Sequence, residues 1–366
     1  MVQQIRPSGL EKQGFRNLVY NGDMMVHQRG GSTQVTGTDT YVLDGFGVET
    51  RDSDGASYDA TWSQSTTVPA GQGFKYSLKC DVASTTSPSG SDNYLLRHCI
   101  EDNLLQHLDI GTANAKTFTV SFWVRSSKTG TYCLQIRDMP ATDHAVVEYT
   151  ISSADTWEHK VITIAGNTGG NMTVAGNAGY DLHWHLSTGS SDHESATNNA
   201  FADNSSNLFR ATSNQVNLFD SATAEWYITG IQFEVGNQAS EFEHVPFDVQ
   251  LQRCLRYFYK HTDPLSSNNE PVCMGSMYSS SQCNGIIHFP VKMRTSPSLI
   301  CTDASTHFRI YRNSGSDPVD NFSSGETTLV AAEIYNNSDV SGTAGHAATI
   351  TTDDAAASIS FSAEFG

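Results

Sequence analysis

Positive charge is scarce in this chain. Of 366 residues, 21 are Lys or Arg against 39 Asp or Glu, giving a formal net charge of −18. A nucleic-acid partner is disfavoured, because like charges would meet with no counterion release to offset them, and an anionic membrane surface is disfavoured for the same reason. Long apolar runs are missing too. No stretch approaches the length of a membrane span, so no membrane insertion is expected. The first residues, MVQQIRPSGLEKQGF, lack the apolar core of a secretory signal, which points to synthesis in a reducing cytoplasm. Seven cysteines (80, 99, 133, 254, 273, 283 and 301) are odd in number and scattered, with no C-x-x-C pair, so buried free thiols are expected rather than a disulfide framework or zinc ribbon. There is no G-x-S-x-G elbow, no H-E-x-x-H and no Gly-rich phosphate loop. Neither a catalytic residue nor a cofactor is therefore expected.

Short alternating segments fill the chain instead. The clearest runs over residues 117–126, TFTVSFWVRS, with Phe118, Val120, Phe122 and Val124 on one face and Thr119, Ser121, Trp123 and Arg125 on the other. TYCLQIRDM, AVVEYTISS, WEHKVITIAG, YDLHWHLSTG and EWYITGIQFEVG follow, separated by clusters of Gly, Asn, Ser and Asp. Strands of this length with such turns predict an all-β chain built of antiparallel sandwiches. Helical spacing is convincing once, where Pro246 and Asp248 precede Leu251, Leu255 and Phe258, with Arg253, Arg256 and Lys260 on another face. The expected organisation is a polar arm over 1–15, a first β domain over 16–247, a connecting helix over 248–262 and a smaller C-terminal β-sandwich over 263–366. The arm is too polar to form a core alone and is expected to order against a partner.

Five stretches recur in a recognisable order. They are Asn17-Leu18-Val19-Tyr20-Asn21-Gly22-Asp23 continuing to Gln28-Arg29-Gly30; the T-V-S-F-W strand over 119–126; residues 228–243; the set Leu251, Cys254, Arg256, Tyr257 and Tyr259; and F-P-V-x-M-R-x-x-P over 289–297. Together they resemble a family of bacteriophage tail-fibre and minor tail proteins. Met24 departs from the aromatic usual there, and Phe233 from the usual Leu. The resemblance implies an N-terminal jelly roll of the carbohydrate-binding-module type, then a small β domain, in a virion appendage that is often trimeric. It does not imply a particular ligand.

On a strand, Asp181, His183 and His185 share one face, spaced about 7 Å apart. That face could hold a divalent metal with one more ligand, from His193 or Glu194 nearby; the alternative is a solvated strand face with Leu182, Trp184 and Leu186 on the core side. Asp52-Ser53-Asp54-Gly55 and Thr302-Asp303 are oxygen-rich enough for Ca²⁺ or for Asx turns. Trp62, Trp123, Trp157, Trp184 and Trp226 could stack on sugar rings, though period-two apolar neighbours favour burial of Trp184 and Trp226. The function expected is that of a non-enzymatic structural virion protein. It would be a tail-fibre subunit anchored to other tail or capsid proteins through residues 1–15, with an exposed C-terminal tip, and would contact a host surface glycan or protein. A capsid-attached head fibre and a polysaccharide-degrading tailspike are the competing readings. In a homotrimer, Leu251, Leu255 and Phe258 would fill an interchain core, with Arg253 and Arg256 facing carboxylates of neighbouring chains; otherwise that apolar face packs on its own domain.

Overall fold

The alternation over 117–126 becomes a strand whose inward residues Phe118, Val120, Phe122 and Val124 are all fully buried. A computed structural model describes residues 15–366, apart from 53, 142, 173–174, 195–198, 203–209 and 263–268. The arm expected over 1–15 lies outside the described residues except for Phe15, which is exposed. The chain divides into two compact units, Met1–Gln250 and Leu251–Gly366. Almost all the regular structure is β, with one short α-helix.

The first unit begins with β1 (Ser32–Val35), β2 (Thr40–Leu43), β3 (Phe46–Arg51), β4 (Ala60–Ser65) and β5 (Ser77–Val82). It continues with β6 (Asn93–Glu101), β7 (Phe118–Ser126), β8 (Gly130–Asp138), β9 (His144–Ile151) and β10 (Glu158–Ile164). Then come β11 (Ala178–Thr188), the two-residue β12 (His193–Glu194) and β13 (Ala211–Thr212), and β14 (Glu225–Val235). Two six-stranded antiparallel sheets result, ordered β1-β4-β5-β14-β7-β10 and β2-β3-β6-β11-β8-β9. They form a jelly-roll sandwich. Its single core interleaves Trp62, Phe122, Trp226 and Ile228 of the first sheet with Val48, Leu96, Leu134 and Trp184 of the second. The Trp62 indole N–H donates to the Tyr94 hydroxyl at 2.8 Å, so that buried polar atom is satisfied.

A helix α1 spans Phe247–Leu255. It is shorter than the 248–262 expected from spacing. The Tyr257 N–H bonds the Cys254 carbonyl at 2.9 Å, and the chain straightens into β15 (Phe258–Lys260). Phe258 therefore lies on a strand, paired with Ser362, and is buried within its own unit. The aromatic run FYK favours an extended backbone once a partner strand is offered, and Phe258 keeps helical spacing from Leu255 only by coincidence. Leu251, Leu255, Arg253 and Arg256 are half-buried.

The second unit adds β16 (Pro271–Ser279), β17 (Gln282–His288), β18 (Ser298–Cys301), β19 (Phe308–Arg312) and β20 (Gly315–Val319). β21 (Ser323–Thr327), β22 (Ala331–Asn336), β23 (Ala347–Thr352) and β24 (Ile359–Ser362) complete it. A three-stranded sheet, β15-β24-β18, and a seven-stranded sheet, β20-β19-β23-β16-β17-β22-β21, share a core containing Ile310, Ile334, Ile350, Ile359 and Phe361. All seven cysteines are free thiols, five buried and two half-buried.

The recurrent stretches turn out to be seams. Asn17 donates its side-chain amide to the Ile231 carbonyl and accepts from the Phe233 N–H, at 2.9 and 3.0 Å. A Cβ at Gly22 would lie 2.1 Å from the Ile231 carbonyl oxygen, so only glycine fits where the N-terminal segment crosses β14. In the second unit, Arg294 donates to the carbonyls of Ala363 and Glu364, while the Ala363 N–H bonds the Tyr257 carbonyl.

Candidate functional site

The two sheets of the first unit each have an outward face carrying polar residues. On the second sheet, the register sets His183 of β11 opposite Arg97 of β6 and Gln135 of β8. This face is not solvated: Asp181 is 1% exposed, and His183 and His185 are fully buried. The segment following β11 covers it. Ala211 of β13 packs on Cys133 and Val146, Arg210 pairs with Asp192 at 2.8 Å and with Glu49 at 3.3 Å, and the Gln215 amide donates to the His185 carbonyl at 3.1 Å.

Beneath this cover the charge opposite Asp181 is Arg97, whose Nε and guanidinium NH2 lie 3.0 and 2.9 Å from Oδ2. Burial alone would raise the Asp181 pKa, but His183 and Arg97 hold the carboxyl well below its ordinary range. Burial lowers the pKa of both imidazoles, His185 most strongly, and the His183 ring is fixed by a 3.0 Å contact between Nδ1 and Gln135 Oε1. Among the described residues no group of three or more His, Cys, Asp or Glu is placed to hold a metal ion. Asp181, His183 and His185 are thus together, Asp181 in a buried ion pair with Arg97 and the two imidazole rings edge to face with centroids 6.1 Å apart.

The oxygen-rich loops behave as turns. Asp54 Oδ2 accepts from the Ser91 N–H and hydroxyl at 2.7 and 2.9 Å, and Asp92 accepts from the N–H groups of Asp54 and Ala56. Ser53 lies outside the described residues. The Thr302 hydroxyl accepts from the Ser358 N–H at 2.9 Å.

The first sheet's outward face stays open. There β7, β10 and β14 lay out Ser121, Trp123, His159 and Val161 as the floor of a groove of about 620 Å³. The register sets Trp123 directly opposite His159, with ring centroids 5.0 Å apart. Val161 is 49% exposed beside them. Stacking on Trp123 takes the His159 ring partly out of water and lowers its pKa from the ordinary value.

One wall is aromatic. Phe74, from the loop before β5, meets Phe242 at 5.0 Å and His244 at 5.3 Å. Gly230, at φ +62, makes room for it: a Cβ there would sit 2.5 Å from Phe74 Cζ. The strap carrying Phe242 is held by polar residues of β14. Gln232 accepts from the Glu243 N–H at 2.8 Å, and Glu234 accepts from the Ser240 N–H and hydroxyl at 2.8 and 2.7 Å. Glu243 in turn accepts from the N–H groups of Arg16 and Asn17 at 2.8 and 2.9 Å. The groove is thus shaped by two of the recurrent stretches, 17–30 and 228–243.

Of the five tryptophans, Trp62, Trp184 and Trp226 are fully buried, and Trp123 and Trp157 are half-exposed. The period-two argument placed Trp184 and Trp226 correctly. It offered no way to single out Trp123, because the strap and loop that complete its groove are remote in sequence. Gln232, Glu234 and Glu243, polar residues closing a strand, were the available signal.

No family model matches the chain, and no curated protein matches it. Among solved structures it is similar to the enzymatically active domain of tailspike protein 4 of bacteriophage CBA120, at 13% identity and a TM-score of 0.32, over 60% of this chain and 22% of that one. The match thus spans about a fifth of the length of that tailspike domain chain. A family 4 carbohydrate-binding module aligns at 10% identity and a TM-score of 0.31, over 60% of this chain and 99% of that one. The CBM22-1 xylan-binding domain of Paenibacillus barcinonensis Xyn10C aligns at 11% identity and a TM-score of 0.29, over 61% and 96%.

Proposed function

We propose that the protein is a non-enzymatic subunit of a bacteriophage appendage whose first unit binds a host surface glycan in the groove over β7, β10 and β14. The carrying observation is the floor: a half-exposed indole and an imidazole on adjacent strands, with ring centroids 5.0 Å apart and planes tilted by 33°, walled by two phenyl rings and a second imidazole. Sugar rings present C–H faces that pack on such surfaces, while hydroxyls at their edges exchange hydrogen bonds with Ser121 and Gln72 and donate to the Glu241 carboxylate. The ordered stretches shared with tail-fibre and minor tail proteins support the virion setting. In that setting residues 1–15 attach to other virion proteins and the chain assembles as a trimer.

A glycan array probed with the purified protein, repeated with Trp123→Ala, tests the reading. Binding by the parent that falls at least about tenfold in the variant supports it, since a stacked ring is worth about 1–3 kcal/mol. Equal binding by both proteins places the ligand elsewhere. Reducing-end release with turnover from host capsule or lipopolysaccharide would replace it with a tailspike enzyme. Labelled antibody on intact particles distinguishes tail from head.

A further inference from the structure

The charges around the groove restrict what it takes. We infer that it accepts an uncharged glycan segment and rejects polymers whose stacking rings carry carboxylates, an inference that rests on the glycan reading above. Among the described residues that line it there is no Lys or Arg, and the sole carboxylate is that of Glu241, exposed on the strap.

Three cations of the first unit have partners of their own. The Arg16 guanidinium bonds the Glu241 carbonyl and lies 3.8 Å from Glu243, Lys75 sits over the Tyr76 ring, and Arg125 is held by Asp155 at 2.9 Å. His159 has its pKa lowered by burial against Trp123, so at neutral pH it offers a neutral hydrogen-bonding ring rather than a counter-charge. A uronate stacked on Trp123 would therefore lose hydration and meet Glu241, in a protein of formal charge −18, with no lysine or arginine among the described lining residues to compensate. A neutral ring loses nothing comparable and can give its hydroxyl protons to Glu241. Charge-assisted bonds of that kind are the strong ones.

The test uses one polymer in two forms: acidic bacterial capsular polysaccharides as isolated, and the same polymers after their uronates are reduced to neutral hexoses. Binding of the intact protein is measured by biolayer interferometry at low and physiological salt. The reduced forms should bind about tenfold or more tightly than the native ones, and the gap should narrow as salt rises, as for any contact between like charges. Glu241→Gln should narrow the gap at low salt, and Glu241→Lys should reverse it. Equal or tighter binding of the native acidic forms overturns the inference and leaves the glycan reading standing. No binding to either form, nor to neutral glycans on an array, overturns both.

Discussion

Replacing Arg97 by Met removes the hydrogen-bonded counter-charge of a buried carboxylate, leaving Arg137, opposite it on β8, as a more distant cation without a hydrogen bond to it. The Asp181 side chain is 1% exposed, and its Oδ2 lies 2.9–3.0 Å from two guanidinium nitrogens of Arg97. His183 Nε2, 3.7 Å from the same oxygen, belongs to a buried ring whose pKa is lowered, so it supplies no full charge. Breaking a buried pair on one side typically costs about 3–5 kcal/mol, a large part of the roughly 5–15 kcal/mol that holds a domain folded. With a urea slope of roughly 3 kcal/mol/M, the unfolding midpoint should fall by about 1–1.7 M. The measurement is clean because all five tryptophans lie at or before residue 226, within the first unit, so indole fluorescence follows that unit alone.

Acid supplies the control. In the parent the Asp181 pKa is depressed, so its contribution is complete above the unfolded value of 3.8 and is lost as pH falls below it. In the variant the stranded carboxyl has its pKa raised by burial and is relieved by protonation. The difference between the two proteins should therefore be greatest near pH 7 and close on acidification. Arg97→Met combined with Asp181→Leu should recover most of the loss. A midpoint change below about 0.3 M at pH 7, or a gap that widens in acid, would refute the burial and pairing assigned to this face.

Three further outcomes are expected. Phe122→Ala removes a ring 5.1 Å from Tyr149 and 5.8 Å from Trp184 in the centre of the first core, and should cost about 3–5 kcal/mol by the same fluorescence assay; a loss under about 1 kcal/mol is incompatible with that packing. Asp138 is buried near Asp143, with the Asn167 amide donating to both carboxylates; burial first, and Asp143 last, push its pKa up to about 6. Its stabilising protonated form is present below the unfolded value of 3.8 and lost as pH rises through 6, so its carbon-13 carboxyl signal, identified by its disappearance in Asp138→Asn, should titrate near pH 6; a midpoint below 4 contradicts the placement. Leu255→Asp should convert the proposed trimer to single chains by light scattering, and a trimer that survives moves the seam away from α1.

Period two was a reliable guide to the interior and a poor one to the exterior. It placed Phe118, Val120, Phe122 and Val124 in the core because a strand in a sandwich has one face that must be buried, and the apolar residues mark it. It could not say what covers the other face. Asp181, His183 and His185 alternate with core residues just as Ser121 and Trp123 do, yet a return segment buries the first set and leaves Trp123 half-exposed. That cover comes from residues such as Arg210 and Gln215, whose own pattern is irregular and whose partners Asp192 and His185 lie 18 and 30 positions back along the chain. Helical spacing failed for a related reason. It registers the recurrence of apolar positions, and at Phe258 the recurrence continued after the backbone had turned into a strand.

The ordered stretches carried more information than periodicity, though of a different kind. Asn17, Gly22 and Glu243 meet no open surface of the groove; they fix where the N-terminal segment crosses β14 and where the strap leaves it. Such positions tolerate little, since Gly22 has no room for a Cβ and each Asn17 contact satisfies a buried backbone group. The lining residues Gln72, His159 and Glu241 are free of those demands and can vary without disturbing the seam. A scaffold of this design keeps the site's position fixed and leaves its chemistry open. On the glycan reading proposed above, these stretches fix the place of the groove and supply part of its lining, Ser121, Trp123 and Glu241, while Gln72 and His159 come from outside them.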